Sequence, residues 1–112
     1  MNEASDYRDI LNFWFREISP AQWWSKDPAF DQMIAGRFGD LHRRACHCEL
    51  YLWRSTPEGR LAEIIVLDQF SRNIHRDTPG AFAADPMALA LAQEAVAAGA
   101  DRSLAPGQRV FL

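Results

Sequence analysis

Leu61-Ala62-Glu63-Ile64-Ile65-Val66-Leu67-Asp68-Gln69-Phe70-Ser71-Arg72-Asn73 decides the fold. The stretch reads as one helix, apolar nearly all round, and such a helix belongs in the interior of a domain. Its C-terminal end carries Asp68, Gln69, Arg72 and Asn73, and polar groups drawn into a core must be hydrogen-bonded or used. On a helical wheel Asp68 falls between Leu61, Ile64 and Ile65, on the face expected to be buried. Arg72 follows four residues later on the same side, so an Asp68–Arg72 ion pair is expected.

Five of the six prolines follow a residue that can cap a helix: Ser19-Pro20, Asp27-Pro28, Thr56-Pro57, Thr78-Pro79 and Asp85-Pro86. A side-chain oxygen at the cap accepts from an orphan amide, and proline next to it has the right φ and no amide to leave unpaired. These pairs mark five helix starts, and no alternating β-type segment competes with them. The central helix therefore runs from Pro57 to about Asn73. Before it, Tyr7, Ile10, Leu11, Trp14 and Ile18 define a first helix capped by Ser5 or Asp6, and Ser19 to Trp24 a single turn that folds two indoles over the core. Phe30, Ile34, Phe38, Leu41, Ala45 and Cys48 give the cleanest amphipathic helix. Its outer face carries Asp31, Arg37, Asp40, Arg43 and Arg44, with Asp40 and Arg44 as an i,i+4 pair. Gly36 and Gly39 inside this helix suggest close approach of a neighbour. Leu50, Leu52 and Trp53 close the connection to Thr56. After the central helix, Asp85-Pro86 starts an alanine-rich helix ended by Gly99 in the left-handed position. The fold expected is all-α, a compact array of antiparallel helix pairs, in one domain spanning 1–112. The last residues, Val110-Phe111-Leu112, read as a cut in mid-element, because native ends are usually polar.

Composition removes several function classes. At 48% hydrophobic and 24% charged the chain is globular, and a net charge of −3 gives no basic field for nucleic acid. No uninterrupted apolar run approaches the length of a membrane span, and no secretory leader opens the chain, so a cytoplasmic protein without a membrane partner is expected. Cys46 and Cys48 sit too close on a helix to bridge each other comfortably.

At Trp14, Trp53, Leu61 to Asn73 and Ala81-Phe82-Ala83-Ala84-Asp85 the chain resembles the bacterial domain-of-unknown-function family numbered 924. Phe13-Trp14-Phe15 and Arg109-Val110-Phe111-Leu112 extend the resemblance over nearly the whole chain. It implies an all-helical, tetratricopeptide-like fold and no settled activity. Family members continue past Leu112, so the resemblance implies that only their N-terminal part is present. Three positions depart from the family pattern: Ser71 stands for a proline, Cys48 for a helix-ending glycine, and Asp77 for a glycine after Arg76. The last two bear on loop geometry.

The candidate ligand-binding residues are Asp68, Gln69, Arg72, Asn73, Arg76 and Asp85. Arg72, Asn73 and Arg76 can present donors to an anion or carboxylate, with Asp68 orienting Arg72. The alternative is that Asp68 and Arg72 only lock the helix end. If so, Asn73 and Arg76 are the freer groups. His42, Cys46, His47 and Cys48 resemble a metal cluster, but they point around the helix and supply too few converging ligands, so no metal is expected. The aromatic set Phe13, Trp14, Phe15, Trp23, Trp24 and Trp53 reads chiefly as core. No nucleophile elbow, phosphate loop or His-Glu-x-x-His is present, and no cofactor is expected. The leading expectation is a binding domain for a peptide, a small acidic ligand or a second copy of itself, the last through the apolar C-terminal end. The alternative is a small enzyme, such as a hydrolase, with a polar site at the end of the central helix.

Overall fold

Each of the five Xaa-Pro pairs begins a helical element in the computed structural model, which describes residues 6–112. The chain forms α1 (Tyr7–Asn12), continued by a π-helical turn at Phe13–Glu17, then α2 (Pro20–Trp23) and α3 (Pro28–Cys46). A 3-10 turn at Tyr51–Ser55 leads into α4 (Pro57–Ile65), a second π turn at Val66–Phe70, and α5 (Ser71–Ile74). A 3-10 turn at Pro79–Phe82 precedes α6 (Asp85–Ala97), and a 3-10 turn at Ala100–Ser103 precedes α7 (Pro106–Arg109). Among the described residues there is no strand. The Cα radius of gyration is 13.1 Å, which matches a compact chain of this length, about 13 Å.

Local chemistry explains the starts. Asp6 caps α1 by accepting from Arg8 N–H at 2.8 Å; Ser5, the other expected cap, lies outside the described residues. Asp27 accepts from Ala29 and Phe30 amides, and Thr56 accepts from Gly59 N–H at 2.9 Å. Asp85 does not cap. Helix α6 begins one residue earlier than expected, with Ala88 N–H bonded to Ala84 C=O, and the Asp85 carboxylate makes no bond to the helix start.

The central rod α4–π–α5 packs against α3 on one side and against α1 and α6 on others. Leu61 to Leu67 are all buried. Phe70 extends this core into an aromatic cluster: Phe13 lies 4.9 Å from Phe38, Phe38 5.2 Å from Phe70 and Trp14 5.8 Å from Phe70, measured between ring centroids. Each fully buried ring of this kind contributes roughly 1.5–3 kcal/mol from burial alone. A second aromatic group forms around Phe111. It is only 6% exposed and packs on Trp14, Trp23, Trp24 and Phe15. Within the apolar C-terminal end, Val110 is 66% exposed and Phe111 is part of the core.

Several expectations fail for physical reasons. Gly36 and Gly39 face open space, with no heavy atom within 4 Å of a built Cβ, so no neighbour requires them. Gly59 is the glycine that close approach demands, because its Cβ would sit 1.9 Å from the Trp53 carbonyl oxygen. Asp40 pairs with Arg43, three residues on, rather than with Arg44, which reaches Glu49 instead. Leu52 is exposed, and Trp24 stays largely exposed although its ring stacks on Phe111. Cys48 does not continue the apolar stripe. It is exposed with φ 61°, in the left-handed region, just past the helix end. There Glu49 N–H bonds to Arg44 C=O and Cys48 N–H to Ala45 C=O, the paired bonds of a Schellman motif. Asp77 has φ 66°. The two positions where the family pattern expects glycine are thus both left-handed, as is Gly99 at φ 79° after α6.

Candidate functional site

The six residues singled out at the end of the central helix divide among three environments. The π turn at Val66–Phe70 is the reason: its wider winding advances each side chain by less than the α-helical step of about 100°. Asp68 is therefore turned out of the fully buried face, with its side chain 25% exposed, while Gln69 and Asn73 are turned in. The expected Asp68–Arg72 pair is present at 3.1 Å, and Gln69 Nε2 donates to the other Asp68 oxygen at 2.8 Å. Arg72 lies over the Phe82 ring, 5.6 Å from its centroid.

Asn73 and Arg76 point the other way and are not free. Asn73 Nδ2 donates to Asp31 Oδ1 at 2.8 Å, and Arg76 donates to both Asp31 oxygens at 2.6 and 3.0 Å. Asp31 sits at the start of α3, where sequence reasoning placed it on a solvated face. Burial raises its carboxyl, but the bonds from Arg76 and Asn73 and the charges of Arg76 and Lys26 outweigh this and hold it below the usual carboxylate range. This clamp fastens α5 to the first turn of α3. A second clamp missed from sequence joins Arg54 to Glu63 through two 2.8 Å bonds, with Glu63 wholly buried in α4. Both arginines were visible in the sequence, but their partners lie on other elements.

Buried His42 and Ser71 meet between α3 and α5, with half-buried Cys46 and exposed His75 beside them. His42 Nε2 lies 2.7 Å from Ser71 Oγ, and Ser71 Oγ lies 2.5 Å from Leu67 C=O. A carbonyl only accepts, and a hydroxyl has one proton, so Ser71 donates to Leu67 and His42 donates to Ser71. His42 then carries its proton on Nε2 and cannot act as a base toward Ser71. Burial, followed by the nearby His75 charge, lowers His42 below the usual imidazole range. Burial also raises the Cys46 thiol, so it is not an activated nucleophile. His47 and Cys48 are exposed and face elsewhere. Among the described residues, no three His, Cys, Asp or Glu side chains converge as metal ligands.

Asp85 belongs to the third environment. A groove of about 530 Å³ opens between α4, α6 and the C-terminal turn, with Ile64, Ala88, Leu89, Ala92, Phe111 and Leu112 as its apolar walls. Asp68 and Asp85 are its carboxylates. Asp68 is met by Arg72 and Gln69, whereas Asp85 Oδ1 is buried and has no hydrogen-bond partner. A second apolar depression continues along α6 past Gln93 to Val96. Leu89 and Val96 are 60% and 54% exposed, while Ala88 and Ala95 on the same helix are buried. Sequence reasoning named Asp85 but not the groove, because α6 has apolar residues on all sides.

Comparison with known proteins supplies family but no activity. Residues 10–112 match the family described as bacterial protein of unknown function (DUF924). A solved protein of unknown function from Agrobacterium tumefaciens is similar over 98% of this chain, at 39% identity and a TM-score of 0.90. This chain spans 62% of the length of that one. No curated protein matches. No helix among the described residues is long and apolar enough to cross a membrane.

Proposed function

Because this chain belongs to the bacterial family of unknown function DUF924, whose description names no activity, we propose a function from the groove: the protein is a cytoplasmic interaction module that binds a helical peptide segment of a partner. The observation that carries this reading is the exposure of Leu89 and Val96 on α6 beside the groove, while Ala88 and Ala95 of the same helix are buried. Exposed apolar side chains that form a continuous surface with a concave floor mark contact sites rather than ordinary surface. A tetratricopeptide-like arrangement of helix pairs suits the role, since an amphipathic helix seats in a groove between helices.

The small acidic ligand has less support. Arg72 and Arg76 already carry the carboxylates of Asp68 and Asp31, so an anion must displace a made bond at either one. The hydrolase reading loses its best internal candidate through the proton accounting at His42 and Ser71. A titration of isotope-labelled protein with an amphipathic helical peptide, followed by amide chemical shifts, tests the proposal. Shifts confined to α6 and residues 110–112 are expected, and Leu89→Glu should abolish them. Movement instead around Arg72 and Arg76 on addition of a dicarboxylate would reverse the assignment.

A further inference from the structure

The groove read above as a helix seat is walled in part by the last residues of this chain. Phe111 and Leu112 line it, and Leu112 also lines the depression that continues along α6 past Leu89, Ala92 and Val96. Phe111 is buried and Leu112 half-buried. The backbone there is still winding. Val110 keeps right-handed helical dihedrals, φ −57° and ψ −30°. The amides of Phe111 and Leu112 bond to the carbonyls of Gln108 and Arg109 at 3.2 and 3.1 Å. Helices α3 and α6 are closed by left-handed residues, Cys48 and Gly99, whereas no residue from 106 to 112 has a positive φ. The winding begun at α7 therefore carries no stop signal of that kind.

Resting on the reading of the groove as a helix seat, we infer that the segment which fits it is chain running on from Leu112. Where a protein of this fold is longer, α7 extends as a helix along α6 and covers Leu89, Ala92 and Val96. This chain spans 62% of the Agrobacterium tumefaciens protein, so more than a third of that protein lies outside the match. A segment tethered at Leu112 starts inside the groove and meets it at a high effective concentration, which a separate peptide lacks. Consecutive elements also tend to lie beside one another. Leu89 and Val96 are about 10 Å apart at the helical rise, so roughly two turns of extended helix cover both. The inward face follows from Phe111: apolar side chains four, seven and eight places later fall on the same side. A partner peptide then binds the form that ends at Leu112 and competes with the tethered helix in a longer one.

The test extends the chain past Leu112 with the segment that follows the matching position in the Agrobacterium tumefaciens protein, and separately with the same residues in scrambled order. Thermal melts, and fluorescence anisotropy of an amphipathic alanine–leucine peptide, compare both extended chains with the chain ending at Leu112. The natural extension should raise Tm by about 5 °C, as Leu89 and Val96 are buried under new apolar side chains. It should weaken peptide binding at least about tenfold, because the tethered helix holds the seat. The scrambled extension should do neither. Leu89→Glu and Val96→Glu should each remove the Tm gain of the extended chain and leave the Tm of the chain ending at Leu112 unchanged, which separates a lost contact from lost folding. Unchanged Tm with equal peptide binding in both chains overturns the tethered helix and leaves the groove reading standing. A Tm gain that Leu89→Glu removes, with no peptide bound by either chain, supports the tethered helix and overturns partner binding. No Tm gain and no peptide binding overturn both. If sedimentation gives a dimer of the chain ending at Leu112 that Leu89→Glu dissociates and the extension leaves intact, the occupant is a second copy and the inference is wrong.

Discussion

Cys48→Gly should make this protein more stable. Cys48 occupies the position after the C-cap of α3 with φ 61°, and both Schellman bonds, Glu49 N–H to Arg44 C=O and Cys48 N–H to Ala45 C=O, depend on that conformation. For an L-residue the left-handed region costs about 1–2 kcal/mol because Cβ crowds the following carbonyl oxygen. Glycine avoids that cost but loses more backbone freedom on folding, about 0.5–1 kcal/mol. The cysteine side chain is exposed, so little packing is lost with it. The balance favours glycine by about 0.5–1 kcal/mol. With an unfolding entropy of roughly 2.1 cal/mol/K per residue, a chain of 112 residues should gain about 2–4 °C in Tm. Urea unfolding should show a higher midpoint at unchanged slope. Cys48→Ala keeps Cβ and should change little, which separates conformation from loss of the thiol. Gly99 has φ 79° at the equivalent place after α6. Gly99→Ala should lower stability by a similar amount. A fall in Tm for Cys48→Gly, or equal gains for Cys48→Gly and Cys48→Ala, would refute the reasoning.

Arg54→Ala should destabilise by about 3 kcal/mol, because it leaves the buried Glu63 carboxylate without its two donors; replacing both residues by methionine should recover most of that in urea melts. Gly59→Ala should cost about 2–3 kcal/mol by driving Cβ into the Trp53 carbonyl, whereas Gly36→Ala and Gly39→Ala meet open space and should each stabilise by about 1 kcal/mol. Stability should fall toward acid in two stages. His42 has a lowered pKa in the fold, so its contribution is full above about pH 6.5 and declines as pH falls below that, when the unfolded chain takes up a proton that the native ring resists. Asp31 is also lowered, so the stability it contributes is present above about pH 3.9 and is lost as pH falls further. Melts from pH 8 to 3 should show His42→Gln removing the upper stage and Asp31→Asn the lower.

What could be read from the sequence was what local chemistry decides. The Xaa-Pro pairs mark helix starts because cap and proline act within one turn, and Leu61 to Leu67 read as buried because no face of that stretch is polar. The Asp68–Arg72 pair is likewise a matter of one turn. Asp31 is the opposite case. Its partners Asn73 and Arg76 are 42 and 45 residues away, and no local pattern distinguishes a carboxylate on a solvated face from one under a neighbouring helix. Arg54 and Glu63 are only nine residues apart but lie on different elements, and no single-helix pattern joins them. The π turn was invisible for another reason: nothing in Val66-Leu67-Asp68-Gln69-Phe70 marks a change of winding. A uniform wheel therefore misplaced Asp68 and left Asn73 seemingly free. The left-handed backbone at Cys48 and Asp77 was foreshadowed only by the resemblance, since neither residue announces it.

Helix α6 shows why a functional surface can escape periodicity. Hydrophobic patterning assumes that larger apolar side chains turn inward, and here Ala88 and Ala95 are buried, Met87 and Leu91 are half-buried against the core, and Leu89 and Val96 face out. Both faces are apolar, so the sequence carries no contrast from which to choose. The structure supplies it through packing. Ala88 and Ala95 are buried where α6 packs on α4, and Leu89 and Val96 stand beside the groove. If stability alone had shaped α6, polar residues at 89 and 96 would serve at least as well, and an exposed leucine next to an unmet buried carboxylate would be a liability twice over. Leu89→Gln is the direct measure of that reasoning. It should leave Tm unchanged within about 0.5 kcal/mol equivalent, as an ordinary surface change does, while weakening peptide binding. A large loss of stability would instead make Leu89 a structural residue and remove the main support for the groove as a docking surface.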